Sequence, residues 1–356
     1  MTRPTHALID LWALRHNYQL ARRLHGGRAL AVVKANAYGH GALRCAMALA
    51  DVADGYAVAF AQEAIELREG GVKGPILLFE GCFDDAELIQ AQQLGLWVVV
   101  HQPEQIAMIE RTPLAPRSLR TWLKINTGIH RAGFDPDEVR AAHARLMACA
   151  AVESITLMTH FARADEADQD ATTIQLRTFD RATAGLPGDQ SVANSGGVLG
   201  WPDARRDWAR PGILLYGADP MPGADHGLIP VMSLQSRIIH VRTLQPGDAL
   251  GYGATFVATK PTRVGLVAIG YADGYPRMAP TGTPVLVGGM PSRTVGRVSM
   301  DMMTVDLTDL PETGIGSVVE LWGRNINVNR VAQAAGTISY ELLCNVKRVP
   351  RIYTGD

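Results

Sequence analysis

The first two thirds of the chain alternate short apolar, β-branched runs with helical stretches, and this grammar restricts the fold more than any other feature. Strands are expected at residues 28–34, 55–60, 75–80, 96–100, 120–125, 154–159 and 190–194, with an eighth near 207–215 whose limits the pattern leaves open. Helices are expected at residues 42–51, 62–69, 84–94, 103–111, 135–150 and 170–184, several opening on Asp or Pro as helix starts prefer. Eight such repeats in about 220 residues fit a TIM-type (β/α)8 barrel better than a six-stranded dinucleotide sheet, and no GxGxxG follows the first strand. Past about residue 227 the grammar changes to consecutive strand-like runs at 233–244, 249–257, 264–269, 292–298, 303–307 and 318–322, with one helix-like stretch at 327–335. The expected division is an α/β barrel over residues 1–227 and a C-terminal, mainly antiparallel β domain over 228–356.

Composition removes several function classes. Thirty-four Lys plus Arg against thirty-five Asp plus Glu leave a net charge of -1, so no overall field favours nucleic acid. The longest apolar runs have the length of strands, which speaks against a membrane-spanning protein. The N-terminal residues do not read as a signal peptide, so a cytoplasmic location is expected. Cys45, Cys82, Cys149 and Cys344 lie far apart with no CxxC pair, which predicts reduced, structural thiols and no metal site.

In a barrel of this type the chemistry sits where strands end, so those ends matter most. The first expected strand ends in Lys34, followed by Ala35-Asn36-Ala37-Tyr38-Gly39-His40-Gly41. An amine dehydrated at a buried strand end favours its neutral, nucleophilic form, suited to bonding an aldehyde; the alternative is a lysine that snorkels to the rim. Lys124, with Arg131 beyond it, ends the fifth strand, and His160 and Asp165 follow the sixth. Two cations and a histidine repel one another at one mouth, so either an anionic ligand sits there or one lysine is modified to carry negative charge. A lone His160 is as readily a satisfied core histidine as a catalyst. Asn194-Ser195-Gly196-Gly197 and Arg210-Pro211-Gly212-Ile213 occupy the loops after strands seven and eight, where freed backbone N–H groups commonly cradle phosphate. A phosphate cradle plus an aldehyde-reactive lysine specifies pyridoxal 5'-phosphate. Further along, Gly251-Tyr252-Gly253, Gly270-Tyr271-Ala272-Asp273-Gly274-Tyr275-Pro276-Arg277, Met300-Asp301 and Tyr340 read by themselves as turn chemistry.

These segments together resemble the bacterial alanine racemases, in order and over almost the whole chain. The resemblance implies a head-to-tail homodimer in which the β domain of one subunit completes the barrel site of the other. It implies that Lys34 bonds the cofactor, that Tyr38, Ser195, Gly212, Ile213 and Tyr340 hold its phosphate, that Arg131 touches its phenolic oxygen, that Arg210 meets its pyridine nitrogen, and that Asn194 and His160 also belong to the cofactor site. Lys124 matches the family's carbamylated lysine. Racemisation then uses two bases, Lys34 on one face of the substrate's α-carbon and Tyr252 of the partner subunit on the other, the latter assisted by His160 hydrogen-bonded to Arg210. Met300, Asp301 and Arg131 match the groups that orient the substrate carboxylate, and Asp165, Tyr271 and Arg277 match the substrate approach. Ser299 departs from the cysteine of many relatives. Rival readings are a broad-specificity racemase, often exported; a pyridoxal phosphate carrier, which lacks a β domain with an opposing tyrosine; and a decarboxylase of the same cofactor fold, whose cysteine-bearing loop is not found. Overall similarity leans to the catabolic form, and the sequence does not separate D-alanine synthesis for the cell wall from D-alanine consumption.

Overall fold

The computed structural model describes residues 3–221, 223 and 225–355. A first strand, β1 (His6–Asp10), precedes eight parallel strands: β2 (Arg28–Val32), β3 (Gly55–Val58), β4 (Ile76–Leu78), β5 (Trp97–Val100), β6 (Leu119–Lys124), β7 (Val152–Met158), β8 (Asp189–Ser191) and β9 (Trp208–Ala209). The parallel strands pair in sequence order from β2 to β8, and β9 pairs back onto β2 through Arg28 and Trp208. Side chain and loop close the remaining gap: Ser191 Oγ donates to the Trp208 carbonyl at 2.8 Å and the Arg210 N–H to the Ala193 carbonyl at 2.9 Å. The result is the nearly closed barrel that the alternation predicts. Strands such as β3 and β4 are buried on both faces because helices cover the outside and side chains fill the inside. Trp97 and Trp122, from the neighbouring strands β5 and β6, meet Trp208 of β9 at centroid separations of 5.4–6.1 Å.

Helices Ala61–Glu69, Asp85–Gln93, Pro103–Arg111, Val139–Ala148 and Ala171–Thr183 pack around the ring. Local chemistry sets their starts: Asp84 accepts the Glu87 N–H at 2.8 Å, and Pro103 opens the next helix where its missing N–H costs nothing. The strand expected near 207–215 stops after two residues. Pro211 cannot donate to a ladder, and the chain turns into a 3-10 segment at Ile213–Tyr216. A helix that the sequence reading did not predict, Leu11–His25, is capped by Asp10 and buries Leu11, Leu14, Tyr18 and Ala21.

The second sheet comprises β10 (Met232–Leu244), β11 (Ala249–Leu250), β12 (Phe256–Val257), β13 (Thr262–Val267), β14 (Pro284–Val287), β15 (Met290–Arg293), β16 (Met303–Asp306), β17 (Val318–Trp322) and β18 (Arg351–Thr354), with β11 and β12 as a separate hairpin. The pairings are antiparallel except that β1 runs parallel to β18. β1 also pairs with β10, Leu8 opposite Ser233, so the chain's first strand lies in the second sheet and one continuous apolar core runs through both regions. The run expected at 249–257 is two short strands interrupted by the turn Tyr252–Ala254. Among the described residues no helix is long and apolar enough to cross a membrane, and no group of three or more metal-ligating side chains forms.

Candidate active site

A cavity of about 340 Å³ opens where the barrel strands end. It gathers eleven of the residues singled out in the sequence: Lys34 and Tyr38 after β2, Lys124 at the end of β6 with Arg131 beyond it, His160 after β7, Asn194 and Ser195 after β8, Arg210, Gly212 and Ile213 after β9, and Tyr340 from the helix Ser339–Cys344. Glu80 and Cys344 also line it and were not singled out. Glu80 closes the run expected as a strand at 75–80, so inspecting strand ends for polar groups would have found it. Nothing in the pattern around Cys344 points to a cavity.

The path of the chain after Lys34 is unusual. Ala35, Asn36, Ala37 and Tyr38 take φ of 52°, 55°, 53° and 50°, a left-handed turn without a single glycine. L-residues pay about 1–2 kcal/mol each for that hand. The turn brings Lys34 and Tyr38 to the same cavity. Tyr38 is pinned there by stacking on Tyr216 at 4.8 Å and by a tilted contact with Tyr340 at 5.9 Å. Opposite its hydroxyl, a Cβ on Gly212 would lie 2.5 Å from Tyr38 Oη, so glycine is required for the approach. The Gly212 N–H donates to Ser195 Oγ at 2.9 Å, and Asn194 Oδ1 accepts the Gly197 N–H at 2.9 Å, which fixes the loop after β8.

The electrostatics are those of crowded cations. Burial lowers Lys124 to about 8, Arg131, Arg210 and Lys34 push it the same way, and Glu80 opposes them. His160 falls to about 3 through burial first, then Arg210, Arg131, Lys124 and Lys34. Burial draws the Arg210 guanidinium down to about 9. Lys124 is the last residue of strand β6, and its amine is buried there. Lys34 lies past the end of β2 and is half-buried, its Nζ 5.6 Å from the Phe79 ring centre. The hydrogen bond implied between His160 and Arg210 does not form among the described residues. Arg210 Nη1 donates to the Ser191 carbonyl at 2.8 Å and its Nη2 to the Thr159 carbonyl at 2.5 Å, so both termini are spent on barrel strand ends and His160 feels Arg210 through charge. The Arg210 Nε–H has no protein partner among the described residues. Burial raises Tyr340 to about 12, and Asp165 nearby adds to it.

The other sequence candidates are not in this cavity. Tyr252 stands on the hairpin turn of the β domain, 69% exposed. Tyr271 N–H and Ala272 N–H donate to the carbonyls of Ser299 and Met300, both at 3.0 Å, joining the Tyr271 and Met300 turns into one unit. Asp273 beneath them is fully buried, hydrogen-bonded by Arg3 and by the Gly270 N–H, while Arg348 reaches Asp301 at 3.5 Å. Arg277 lies over the Tyr271 ring at 5.9 Å. The structure thus brings together an amine, a glycine-lined cradle and a buried guanidinium at the barrel mouth, and a separate exposed array of tyrosine, methionine and carboxylate on the β domain.

The alanine racemase N-terminal domain family matches residues 9–220, and the alanine racemase C-terminal domain family matches residues 231–353. An alanine racemase of Azoarcus sp. (strain BH72) is 66% identical over 353 residues, covering 99% of this chain and 100% of its own. Among solved structures, biosynthetic alanine racemase from Pseudomonas aeruginosa has a TM-score of 0.96 at 49% identity, covering 99% of this chain and 100% of its own. Alanine racemase from Bartonella henselae, solved with covalently bound pyridoxal phosphate, has a TM-score of 0.91 at 30% identity, with coverage of 99% and 100%.

Proposed function

The chain belongs to the alanine racemase family, and from that premise we propose that it interconverts L- and D-alanine with pyridoxal 5'-phosphate, using Lys34 and Tyr252 of the partner subunit on opposite faces of the substrate's α-carbon. The observation that carries the reading is the single cavity uniting Lys34, the Ser195–Gly212 contact and Arg210. The residues present fit the cofactor in two independent ways. Space for a phosphate survives beside Tyr38 only because Gly212 has no Cβ, and Arg210, almost wholly buried, keeps its Nε–H free of protein partners among the described residues. Lys34 would bond its aldehyde; Tyr38, Ser195, Gly212, Ile213 and Tyr340 would hold its phosphate, in a loop that Asn194 fixes; Arg131 would meet its phenolic oxygen and Arg210 its pyridine nitrogen. When bound, the group supplies the electron sink that makes the α-proton of an amino acid removable.

The chain's own residues do the rest. The Lys34 amine takes or returns the proton on one face of the α-carbon, and the Tyr252 hydroxyl of the partner subunit serves the other, so the centre inverts. His160, held neutral by burial and the charges of Arg210, Arg131, Lys124 and Lys34, can meet the hydroxyl of the partner's Tyr252 with a hydrogen bond without adding a charge, and Arg210 acts on it through charge alone. Arg131, with Met300 and Asp301 of the partner subunit, orients the substrate carboxylate, while Asp165 beside Tyr340, with the partner's Tyr271 and Arg277, narrows the approach. Lys124 is the site for a carbamate, because a low value leaves much of its amine neutral near pH 8 and the surrounding Arg131, Arg210 and Lys34 would attract the resulting anion.

Loss of optical rotation should be followed with L-alanine and, separately, with L-lysine and L-arginine. Racemisation confined mainly to alanine is expected; cofactor absorbance without racemisation would point to a carrier or a decarboxylase. Lys34→Ala should lose the absorbance of the covalently held cofactor, whereas Tyr252→Phe should keep it and lose turnover mainly where L-alanine gives up its proton. Mixing the two inactive variants should restore activity, since re-assorted dimers carry one site intact at both positions. Verified exchange with no recovery would remove Tyr252 of the partner subunit from the site.

A further inference from the structure

Four consecutive left-handed residues without glycine persist only where their surroundings over-determine them. The far end of the turn at residues 35–38 is held by Arg351, whose Nε donates to the Gly39 carbonyl at 2.6 Å, and by Asn36 Oδ1, which accepts the Ala42 N–H at 2.8 Å. Gly39 adds close packing, since a Cβ there would lie 2.1 Å from the Leu343 carbonyl oxygen. The near end, next to Lys34, has a backbone bond from the Ala37 N–H to the Val33 carbonyl at 2.8 Å, and one side chain ties it to the neighbouring strand exit. The Ala35 N–H donates to Glu63 Oε1 at 2.6 Å, and the other carboxylate oxygen accepts the Ala59 N–H at 2.8 Å and the Phe60 N–H at 3.2 Å.

We propose that Glu63 is a positioning residue for Lys34: its carboxylate ties the left-handed turn to the end of the neighbouring strand β3 and so fixes where Lys34 and Tyr38 enter the cavity. The proposal rests on the reading of Lys34 as the reactive amine. β2 and β3 are paired neighbours, Val32 opposite Ala57, and Ala59 and Phe60 leave β3 as Lys34 leaves β2. Glu63 therefore bridges two strand exits at the barrel mouth. Its three partners are all donors, a field that an acceptor-only carboxylate satisfies and an amide cannot. The bond to Phe60 also caps the helix Ala61–Glu69, and capping alone would explain Glu63 if the Ala35 bond were absent. The Ala35 bond has no part in capping. It holds the backbone of Lys34 still while the amine at the end of a flexible four-carbon stem changes position, so the demand falls on turnover and on bonding the aldehyde more than on substrate affinity.

The test is Glu63→Gln, which retains the side chain's shape but presents an NH2 where a second oxygen stood. Amide-resolved hydrogen exchange should be about tenfold or more faster at Ala35, with the interior of the helix Ala61–Glu69 unchanged. The rate at which cofactor-free protein develops absorbance with pyridoxal phosphate should fall about tenfold, and kcat should fall about tenfold with KM within about twofold. Glu63→Asp, which keeps the charge, should recover part of the exchange protection. Faster exchange confined to the helix, with Ala35 protection, cofactor bonding and kcat as in the wild type, would overturn the proposal and leave Glu63 a helix cap. Should the glutamine variant not fold, the wild-type protein still decides: Ala35 should exchange at least about 100-fold more slowly than its neighbour Asn36, whose N–H has no acceptor among the described residues, and equal rates would overturn the clamp. A wild-type protein that never develops cofactor absorbance would sink the functional reading while leaving the exchange comparison valid.

Discussion

Replacing Lys124 by Met should stabilise the cofactor-free protein at neutral pH. Burial lowers its amine from 10.5 to about 8, which at about 1.4 kcal/mol per pH unit corresponds to roughly 3 kcal/mol of unfavourable charge burial. The folded value lies below the unfolded one, so the folded protein binds fewer protons between about pH 8 and 10.5. This group's contribution to stability therefore rises with pH through that window, and below about pH 8 the whole cost is present. Met keeps most of the stem's volume and removes the charge, so urea denaturation in carbon dioxide-free buffer should show a gain of about 1–3 kcal/mol at pH 7 that shrinks toward zero by pH 10.5. Reading the effect as variant minus wild type cancels the buried tyrosines and cysteines, which titrate in the same range. Added bicarbonate should stabilise the wild type and not the Met variant, since a carbamate would turn the cation into an anion facing Arg131 and Arg210. A Met variant no more stable than the wild type at pH 7, or equally more stable at both pH values, would refute the reasoning.

Gly212→Ala should cut cofactor affinity about 10- to 100-fold, because the added methyl meets Tyr38 Oη at 2.5 Å and Tyr38, stacked on Tyr216, has no room to retreat; an absorbance titration with a wild-type midpoint would contradict this. Asp273→Asn should cost about 3 kcal/mol by leaving Arg3 without its buried counter-charge, measured by denaturant unfolding. Burial raises the Asp273 carboxyl, but hydrogen bonds from Arg3 and the Gly270 N–H, with the charges of Arg3 and Arg348, outweigh it and hold the carboxyl below its ordinary value. Its stabilisation should be essentially complete above about pH 5 and fade on acidification, and an unfolding free energy that the variant shares with the wild type at pH 7 would count against it.

The barrel was legible because its strands are buried on both faces and so appear as short continuous apolar runs, such as Trp97–Val100. The cavity residues were legible because the fold sends strand ends to one place. What escaped depends on tertiary contact. The pairing of β1 with β10 and β18 joins residues more than two hundred positions apart, and no local pattern records it. The helix Leu11–His25 starts inside a run that reads equally as strand, and only the Asp10 cap separates the two. The left-handed turn after Lys34 contains none of the glycines that usually announce one. Burial of the Lys124 amine follows from its place as the last residue of β6, whereas Lys34 stands two residues past β2 and is half-buried, a difference of strand length that the apolar pattern does not mark.

The separation of Tyr252 from the barrel cavity follows from the reaction proposed. Inverting a centre needs proton carriers on opposite faces of the same carbon, and a parallel barrel delivers all its strand-end groups from one side. Lys34, Arg131, His160 and Arg210 share that side, and on the proposed reading the second carrier comes from another body. The β domain offers one on an exposed face where Tyr252, Tyr271, Met300 and Met302 stand 69%, 36%, 54% and 40% accessible, an unusual concentration of large apolar groups in solvent. The barrel mouth has its own exposed pair, Phe60 at 49% and Phe83 at 65%, in a tilted contact at 6.1 Å. On that proposed reading, a two-fold pairing of identical chains would cover both surfaces twice in one step and would seat each Tyr252 over the other chain's Lys34. Catalysis on the proposed reading is then lost on dilution to monomers even while the cofactor stays bound, because the cradle lies within one chain and the second base does not.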